Sequence, residues 1–401
     1  MGRSRKNRRS GRTNRGSVAF AGAERLEERL VLAALVKIPN DTSFGQQWAL
    51  NSTAYADINA PEAWYLTTGN KDIVVAVLDD GTYTSHPDLQ ANLWNREWAI
   101  TKVPAALQAQ FKAEYGTFGW DSLEGDGDVT PTAGHGTAVA GTIGAVGNNF
   151  NANNGGLGSI SGINWNVSIY TARVAPSAGT TPSVADFNDA VQRICDLRNL
   201  YHQNVVAVVG SFAGVYTTVD PGFDAGVQQL NAAGILFVAP AGEVDTSSKG
   251  IQIDPPWIPP DPNGYFPASG GTTVTNNIVV AASTSTDTLA TWSDYGPATV
   301  QIAAPGQGVL SLAANNRLGQ WSGTSIAAGY VAGTAALAAA EYYKWTRNLP
   351  SVNFMRQAVL NGAATVAGLA GKVENNRRLD AYGALHWVDT HLPPQISVGT
   401  V

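Results

Sequence analysis

Six short runs of uninterrupted Val, Ile and Ala constrain the fold of this chain more than any other feature. They are DIVVAVLDD (72–80), VSIYTARV (167–174), NVVAVVGS (204–211), GILFVAPAG (234–242), NIVVAAS (277–283) and TVQIAAP (299–305). A strand with one wet face alternates apolar and polar residues, whereas a strand covered on both faces reads as a continuous apolar run. The segments between these runs follow the helical period instead. In 183–201, Val184, Phe187, Val191, Ile194, Leu197 and Tyr201 recur at three- and four-residue steps. A second helix fits 222–233, where Gly234 stops it. The stretch 325–345 (SIAAGYVAGTAALAAAEYYKW) is almost entirely small or apolar, the mark of a helix buried all round. Strand and helix in alternation predict a mainly parallel sheet between two helical layers, a three-layer α/β/α fold.

Charge is unevenly spread. The whole chain carries −6, but residues 1–15 hold seven Lys and Arg and no acid, so the remainder carries −13. An acidic body repels a phosphate backbone, which argues against a nucleic-acid partner. The basic arm reads as a targeting or solvated tail. The LEERLVLAA that follows resembles the LExRxLL-type N-terminal segment of exported or surface proteins from planctomycete-like bacteria. Export to the cell surface or medium is therefore expected. Cys195 is the one cysteine, so no intrachain disulfide forms. It lies in the apolar pattern of 183–201 and reads as core. No run of 18 apolar residues occurs, so no transmembrane helix is expected. The Pro-rich 253–267 and the Asn-rich 147–156 read as loops.

Three stretches combine residues of catalytic type. In AVLDDGTYTSHPDL (76–89) a buried strand ends in two carboxylates and a glycine. This puts an acid at the carboxyl edge of the sheet, where open α/β sheets bind ligands. In GHGTAVAGT (134–142) His135 stands between glycines ahead of a helix of small residues. In WSGTSIAAGYVAG (321–333) Ser325 opens the buried helix. Taken singly, a serine at a helix start is an N-cap and an Asp at a strand end is commonplace. Their joint occurrence, with these flanks, is not.

Together the D-x-G, H-G-T-x-x-A-G-T and S-G-T-S-x-A-A blocks resemble those of the subtilisin-like serine proteases (subtilases), in that family's Asp, His, Ser order. GINWNVSIYTARV, NVVAVVGSFAG, SDYGPATVQIAAPG and RRLDAYGAL resemble further family segments. The resemblance covers about 40–390 and implies one catalytic domain there, with 1–39 as the basic arm and 391–401 as a tail. It implies a seven-stranded, mainly parallel sheet. It also implies a serine endopeptidase acting through Asp79, His135 and Ser325 on a peptide or protein substrate. By the same resemblance, Ser211, Phe212, Ala213 and Gly214 line the strand that pairs with an extended substrate, with Gly242 opposite. Ala213 stands for a usual Gly. Asp80 matches the kexin-like branch, where this acid favours a basic side chain two residues before the cut; otherwise it is a turn residue. Asp88, with the loop around Asn148, matches a family calcium site. His86 is expected to hold its loop by hydrogen bonding.

The chain also departs from the family. An A-A-G-N block usually supplies an Asn amide to the oxyanion, beside the residue at Thr324. Here Pro240-Ala241-Gly242-Glu243 stands instead. Either Glu243 replaces the Asn, or the Asn is deleted and Glu243 is the acid that sometimes follows it. The amide donor is missing in both cases, which implies lowered turnover. The alternative is a non-catalytic subtilase-fold protein that binds peptides or joins a cell-surface assembly. Ile326 stands for the usual Met. Gly329 stands for the usual Pro, which implies a lost rigid turn at the cleft. A self-cleaved prodomain is not expected, because only about 40 residues precede the matching region.

Overall fold

The computed structural model describes residues 36–393, except 152–158, 178–179, 213, 217–220, 244–248, 255–263 and 267–276. The chain divides into units over 1–36 and 37–401. The export-like segment of the first unit and most of the C-terminal tail lie outside the described residues.

In chain order the strands are β1 (Gly69–Asp79), β2 (Gly119–Asp121), β3 (Asn166–Arg173), β4 (Asn204–Gly210), β5 (Gly214–Tyr216), β6 (Leu236–Pro240), β7 (Gly264–Phe266), β8 (Asn277–Ser283), β9 (Ile302–Pro305), β10 (Val309–Ala313), β11 (Arg317–Trp321), β12 (Ala364–Thr365) and β13 (Arg377–Arg378). The main helices are α1 (Ala60–Leu66), α2 (Gln108–Glu114), α3 (His135–Gly144), α4 (Val184–Asn199), α5 (Pro221–Ala232), α6 (Thr324–Thr346), α7 (Val352–Asn361) and α8 (Ala381–Thr390).

The central sheet runs β12-β13-β9-β8-β6-β4-β1-β3-β2, and all its pairings are parallel except β12 with β13. It has nine strands rather than the expected seven. The surplus lies at the edges, where β2, β12 and β13 span two or three residues each. Strands that short leave no periodic signal.

The six apolar runs fall on β1, β3, β4, β6, β8 and β9. In β1, Ile73, Val75 and Val77 enter the core on one face, while Val74, Ala76 and Leu78 enter the core on the other. Residues of α1, α3, α6, α7 and α8 pack on the first face. Residues of α2, α4 and α5 pack on the second. Both faces of the strand are therefore apolar, which is why no alternation shows. In α6 every residue from Thr324 to Glu341 is buried.

The parallel strands point their carboxyl ends the same way, so Asp79, Ser211 and Ala241 follow strand ends on one edge of the sheet. The amino ends of α3 and α6 begin with His135 and Thr324.

Candidate active site

Both oxygens of Asp79 approach the His135 ring, Oδ1 at 2.9 Å and Oδ2 at 2.8 Å from Nδ1. Both side chains are largely buried. Asp79 Oδ1 also accepts the Asp80 N–H at 2.7 Å. A carboxylate on Nδ1 fixes the tautomer and leaves Nε2 for a reacting group. Close approach makes this pairing possible. A Cβ on Gly136 would sit 2.2 Å from Gly81 O and 2.9 Å from Asp79 Cβ, so only glycine lets the first turn of α3 lie against the end of β1.

Burial opposes a charge on His135, but Asp79, with help from Asp80 and Glu243, outweighs it and pushes the imidazole up to about 9. Burial also drives Asp79 up, to about 6, against the pull of His135. Histidine has the higher proton affinity of the pair, so the shared proton resides on His135 Nδ1 and Asp79 stays a carboxylate.

Ser325 is the second residue of α6 and is 7% exposed. Among the described residues no hydrogen bond joins its Oγ to His135. Such bonds are often long without substrate and tighten in the complex. Two contacts tie the α6 start to the histidine. The Trp321 ring stands edge-on to His135 with centroids 6.4 Å apart. Glu243, whose charge His135 feels, binds Thr324.

Glu243 is an acceptor here. Thr324 donates its backbone N–H to both carboxylate oxygens, at 3.3 and 3.2 Å, and its hydroxyl to Oε2. The same hydroxyl accepts the Gly242 N–H at 3.2 Å, so its own proton is free for the carboxylate. The N-cap residue of α6 is Gly323, which makes no side-chain cap. Glu243 supplies one from another element, where a negative charge also meets the positive end of the helix dipole. Burial raises the Glu243 pKa, while the Thr324 bonds and His135 pull it down.

The substrate-side expectations fare unevenly. Asp80 does not face a substrate side chain: it is fully buried, and backbone N–H groups of residues 133–136 occupy both its oxygens. Phe212 is core rather than pocket wall, 1% exposed and edge-on to Phe187. Ser211 is equally buried, and among the described residues its Oγ has no hydrogen-bond partner. Ala213 lies outside the described residues. Gly214 opens β5, which pairs antiparallel with β7. Gly242 has φ 110°, which favours glycine, and its carbonyl accepts the Asp294 N–H at 3.0 Å. Gly329 does not replace a turn of the cleft. It is buried inside α6, where a Cβ would meet Thr142 Oγ1 at 2.3 Å and Val139 O at 3.3 Å. The glycine serves the contact between α6 and α3.

His86 holds its loop as expected, accepting Asp88 N–H at Nδ1 and facing Arg317 O at Nε2, each 3.2 Å away. Cys195 is buried, and burial pushes its thiol up to about 12.

For the expected calcium site, Asp88 accepts from Asn149 Nδ2, Ser159 N and Oγ, and Ile160 N. Asn148 is engaged elsewhere, its Oδ1 accepting Asn40 N–H at 3.2 Å. The unused oxygens beside them are Asp41 Oδ1 and Asn149 Oδ1, both buried without a partner among the described residues. Burial, with the Asp88 charge, pushes Asp41 up to about 6. One acid and one amide with orphaned oxygens, beside the Asp88 carboxylate, are oxygen donors of the kind a hard cation takes. Among the described residues no group of three or more His, Cys, Asp or Glu could hold a metal. Sequence reasoning missed Asp41 because nothing in NDTS marks it. It also passed over Trp321 and the buried Asp294, which lie inside recognised blocks.

A family model described as "Subtilase family" matches residues 70–384. Thermitase from Thermoactinomyces vulgaris is 26% identical over 351 residues, covering 87% of this chain and 99% of that protein. An extracellular protease from Xanthomonas campestris pv. campestris is 28% identical over 316 residues, 75% of this chain and 49% of that protein, so the chain spans about half its length. Among solved structures, a protease from Pseudoalteromonas arctica matches with a TM-score of 0.65 at 22% identity, covering 88% of this chain and all of that one.

Proposed function

This chain belongs to the subtilase family, and from that premise we propose that it is a serine endopeptidase using Asp79, His135 and Ser325. The observation that carries the reading is the Asp79 carboxylate on His135 Nδ1, at 2.8 and 2.9 Å, beside the helix that starts with Thr324-Ser325. Ser325 Oγ attacks the scissile carbonyl carbon as its proton passes to His135 Nε2. The tetrahedral intermediate collapses, the C–N bond breaks, and the imidazolium returns the proton to the leaving amine. Water then repeats the sequence on the acyl-enzyme. Asp79 holds the ring and stabilises the imidazolium.

The substrate is a peptide or protein segment bound extended through its backbone. Turnover is lowered, because Glu243 offers a charged acceptor where the family resemblance expects an amide donor. The Ser325 N–H remains to meet the oxyanion. Export is supported by the similarity to the extracellular protease of Xanthomonas campestris. Among the described residues no helix is long and apolar enough to cross a membrane. A calcium ion held by Asp41, Asp88 and Asn149 would brace the loop at 147–160, away from the chemistry.

A fluorophosphonate probe tests the reading. The unaltered protein should label at Ser325 and hydrolyse peptides, and Ser325→Ala should do neither. The second reading, a catalytically silent peptide binder, is favoured only by the Glu243 carboxylate at Thr324. Peptide binding with neither Ser325-dependent labelling nor hydrolysis would replace the first reading with the second.

A further inference from the structure

β1 ends at Asp79 and Asp80 follows it, two consecutive acids that reach the same histidine by different routes. Asp79 takes the ring. Asp80 takes the backbone: its Oδ2 accepts the N–H groups of Ala133 and Gly134 at 3.0 Å each and of His135 at 3.4 Å, and its Oδ1 accepts that of Gly136 at 2.8 Å. The Asp80 side chain is fully buried.

These are the N–H groups that α3 cannot satisfy itself. The first turn of any helix leaves its donors unpaired. The N-cap residue here is Gly134, in the left-handed region at φ 85°, with no side chain to cap them. Asp80 is a cap supplied from the sheet. A hydroxyl at this position would have two lone pairs to offer; a carboxylate has about four. The bond is also charge-assisted and lies at the positive end of the helix.

We propose that Asp80 is a positioning residue of the catalytic machinery, fixing the backbone of His135 so that its ring meets Asp79 on one side and Ser325 on the other. This rests on the protease reading above. Among the described residues, the charged groups facing His135 are Asp79 and Asp80 from β1 and Glu243 beyond β6. Asp80 therefore also helps His135 hold its proton, which gives a readout that a cap of purely structural value would not move.

The experiment compares Asp80→Asn and Asp80→Ser with the unaltered protein and with Ser325→Ala. Asn keeps the size but turns an amide N–H towards backbone donors; Ser offers a hydroxyl instead. Two measurements are made: kcat and KM on a peptide across pH, and the titration of His135 by NMR of histidine-labelled protein. Asp80→Asn should lower kcat by about tenfold to hundredfold, since a misplacement of about 1 Å can cost about 10²-fold. KM should change less than about threefold, Asp80→Ser should recover part of the loss, and the His135 pKa should fall in both variants. Unchanged kcat and an unmoved His135 titration would overturn the proposal. So would failure of both variants to fold, which would make Asp80 a structural cap alone. The titration does not need turnover. If the unaltered protein fails to label at Ser325, the protease reading falls, and the NMR arm still reports whether Asp80 governs His135.

Discussion

Replacing Glu243 by Asn tests the most unusual feature of the site. Three effects of the change can be weighed. In a subtilisin, loss of one amide donor to the oxyanion costs about 10²–10³ in kcat, or ~2.7–4 kcal/mol, so restoring one returns up to that amount. The carboxylate's repulsion also disappears: two like charges about 4 Å apart repel by roughly 4 kcal/mol at an effective dielectric near 20. Against this, the Thr324 N–H and hydroxyl lose a charged acceptor. Asn keeps an oxygen for one of them, so the stability loss is about 1 kcal/mol. Relief of an acid that burial already disfavours offsets part of it. A rise in kcat of at least about tenfold, a small part of the ~2.7–4 kcal/mol at stake, is the conservative expectation.

The assay is kcat and kcat/KM for a peptide amide across pH, with Glu243→Gln as control. Gln removes the charge on a longer side chain, so it separates charge relief from placement of the donor. Both variants should also move the acid limb of kcat/KM to lower pH, because Glu243 is one of three acids that raise His135. The sign follows directly: His135 must lose its proton to act as base, and fewer anions around it make that easier. An unchanged kcat with an unmoved acid limb would show that Glu243 neither borders the oxyanion nor influences the base.

Other expectations follow from the same geometry. Gly136→Ala should cost about 1–3 kcal/mol of stability and most of the activity, because its Cβ would meet Gly81 O at 2.2 Å; an active variant of unaltered melting temperature would contradict this contact. Asp294 is fully buried with Oδ2 unpartnered, and burial raises it from 3.8 to about 7. A raised acid contributes stability below pH 3.8 that is lost as pH rises through about 7. Asp294→Asn should therefore stabilise the protein at pH 8 by up to about 4 kcal/mol, at 1.36 kcal/mol per pKa unit, and far less at pH 4; equal gains at both values in urea unfolding would refute the cause. Calcium should raise the melting temperature of the unaltered protein and not of Asp41→Asn, since Asp41 Oδ1 is one of the orphaned oxygens; equal shifts in both would remove Asp41 from the site.

Much of this architecture is visible in the residues because it rests on burial. β1, β4 and β8 read as strands since both faces of each are apolar, and α6 reads as buried since its first 18 residues have no polar face. β12 and β13 are invisible because two residues carry no period. The site divides the same way. Asp79, His135 and Ser325 are legible through their flanks, whose small residues are needed for close approach, as Gly136 and Gly329 show. The places of Asp80 and Phe212 depend on where a side chain points, not on type, and that of Gly329 on what packs against its helix. A carboxylate after Asp79 can face a substrate or cap a neighbouring helix, and the local sequence is identical in both cases. The direction is set by α3, which lies 55 residues further on.

The protonation of Glu243 bears directly on whether this site turns over. A neutral Glu243 could donate to an oxyanion, as a buried carboxylic acid can when its pKa is high enough. That role requires a proton on Glu243 while His135 has none. Yet the histidine, raised to about 9, keeps its proton across the range in which carboxylates lose theirs. The two groups also reinforce this order, since each charge stabilises the opposite charge on the other. An ionised Glu243 is instead an anion capping α6 beside Ser325. A protonated Glu243 could donate, but Asp79 holds a proton on His135 as well. Burial of Glu243 works against its charge, while Thr324 and His135 work for it. Substrate that excludes water from Glu243 favours a proton there while His135 is neutral. In that case Glu243→Asn would lose activity instead of gaining it, and the sign of that one change decides between an acid that obstructs the oxyanion and one that serves it.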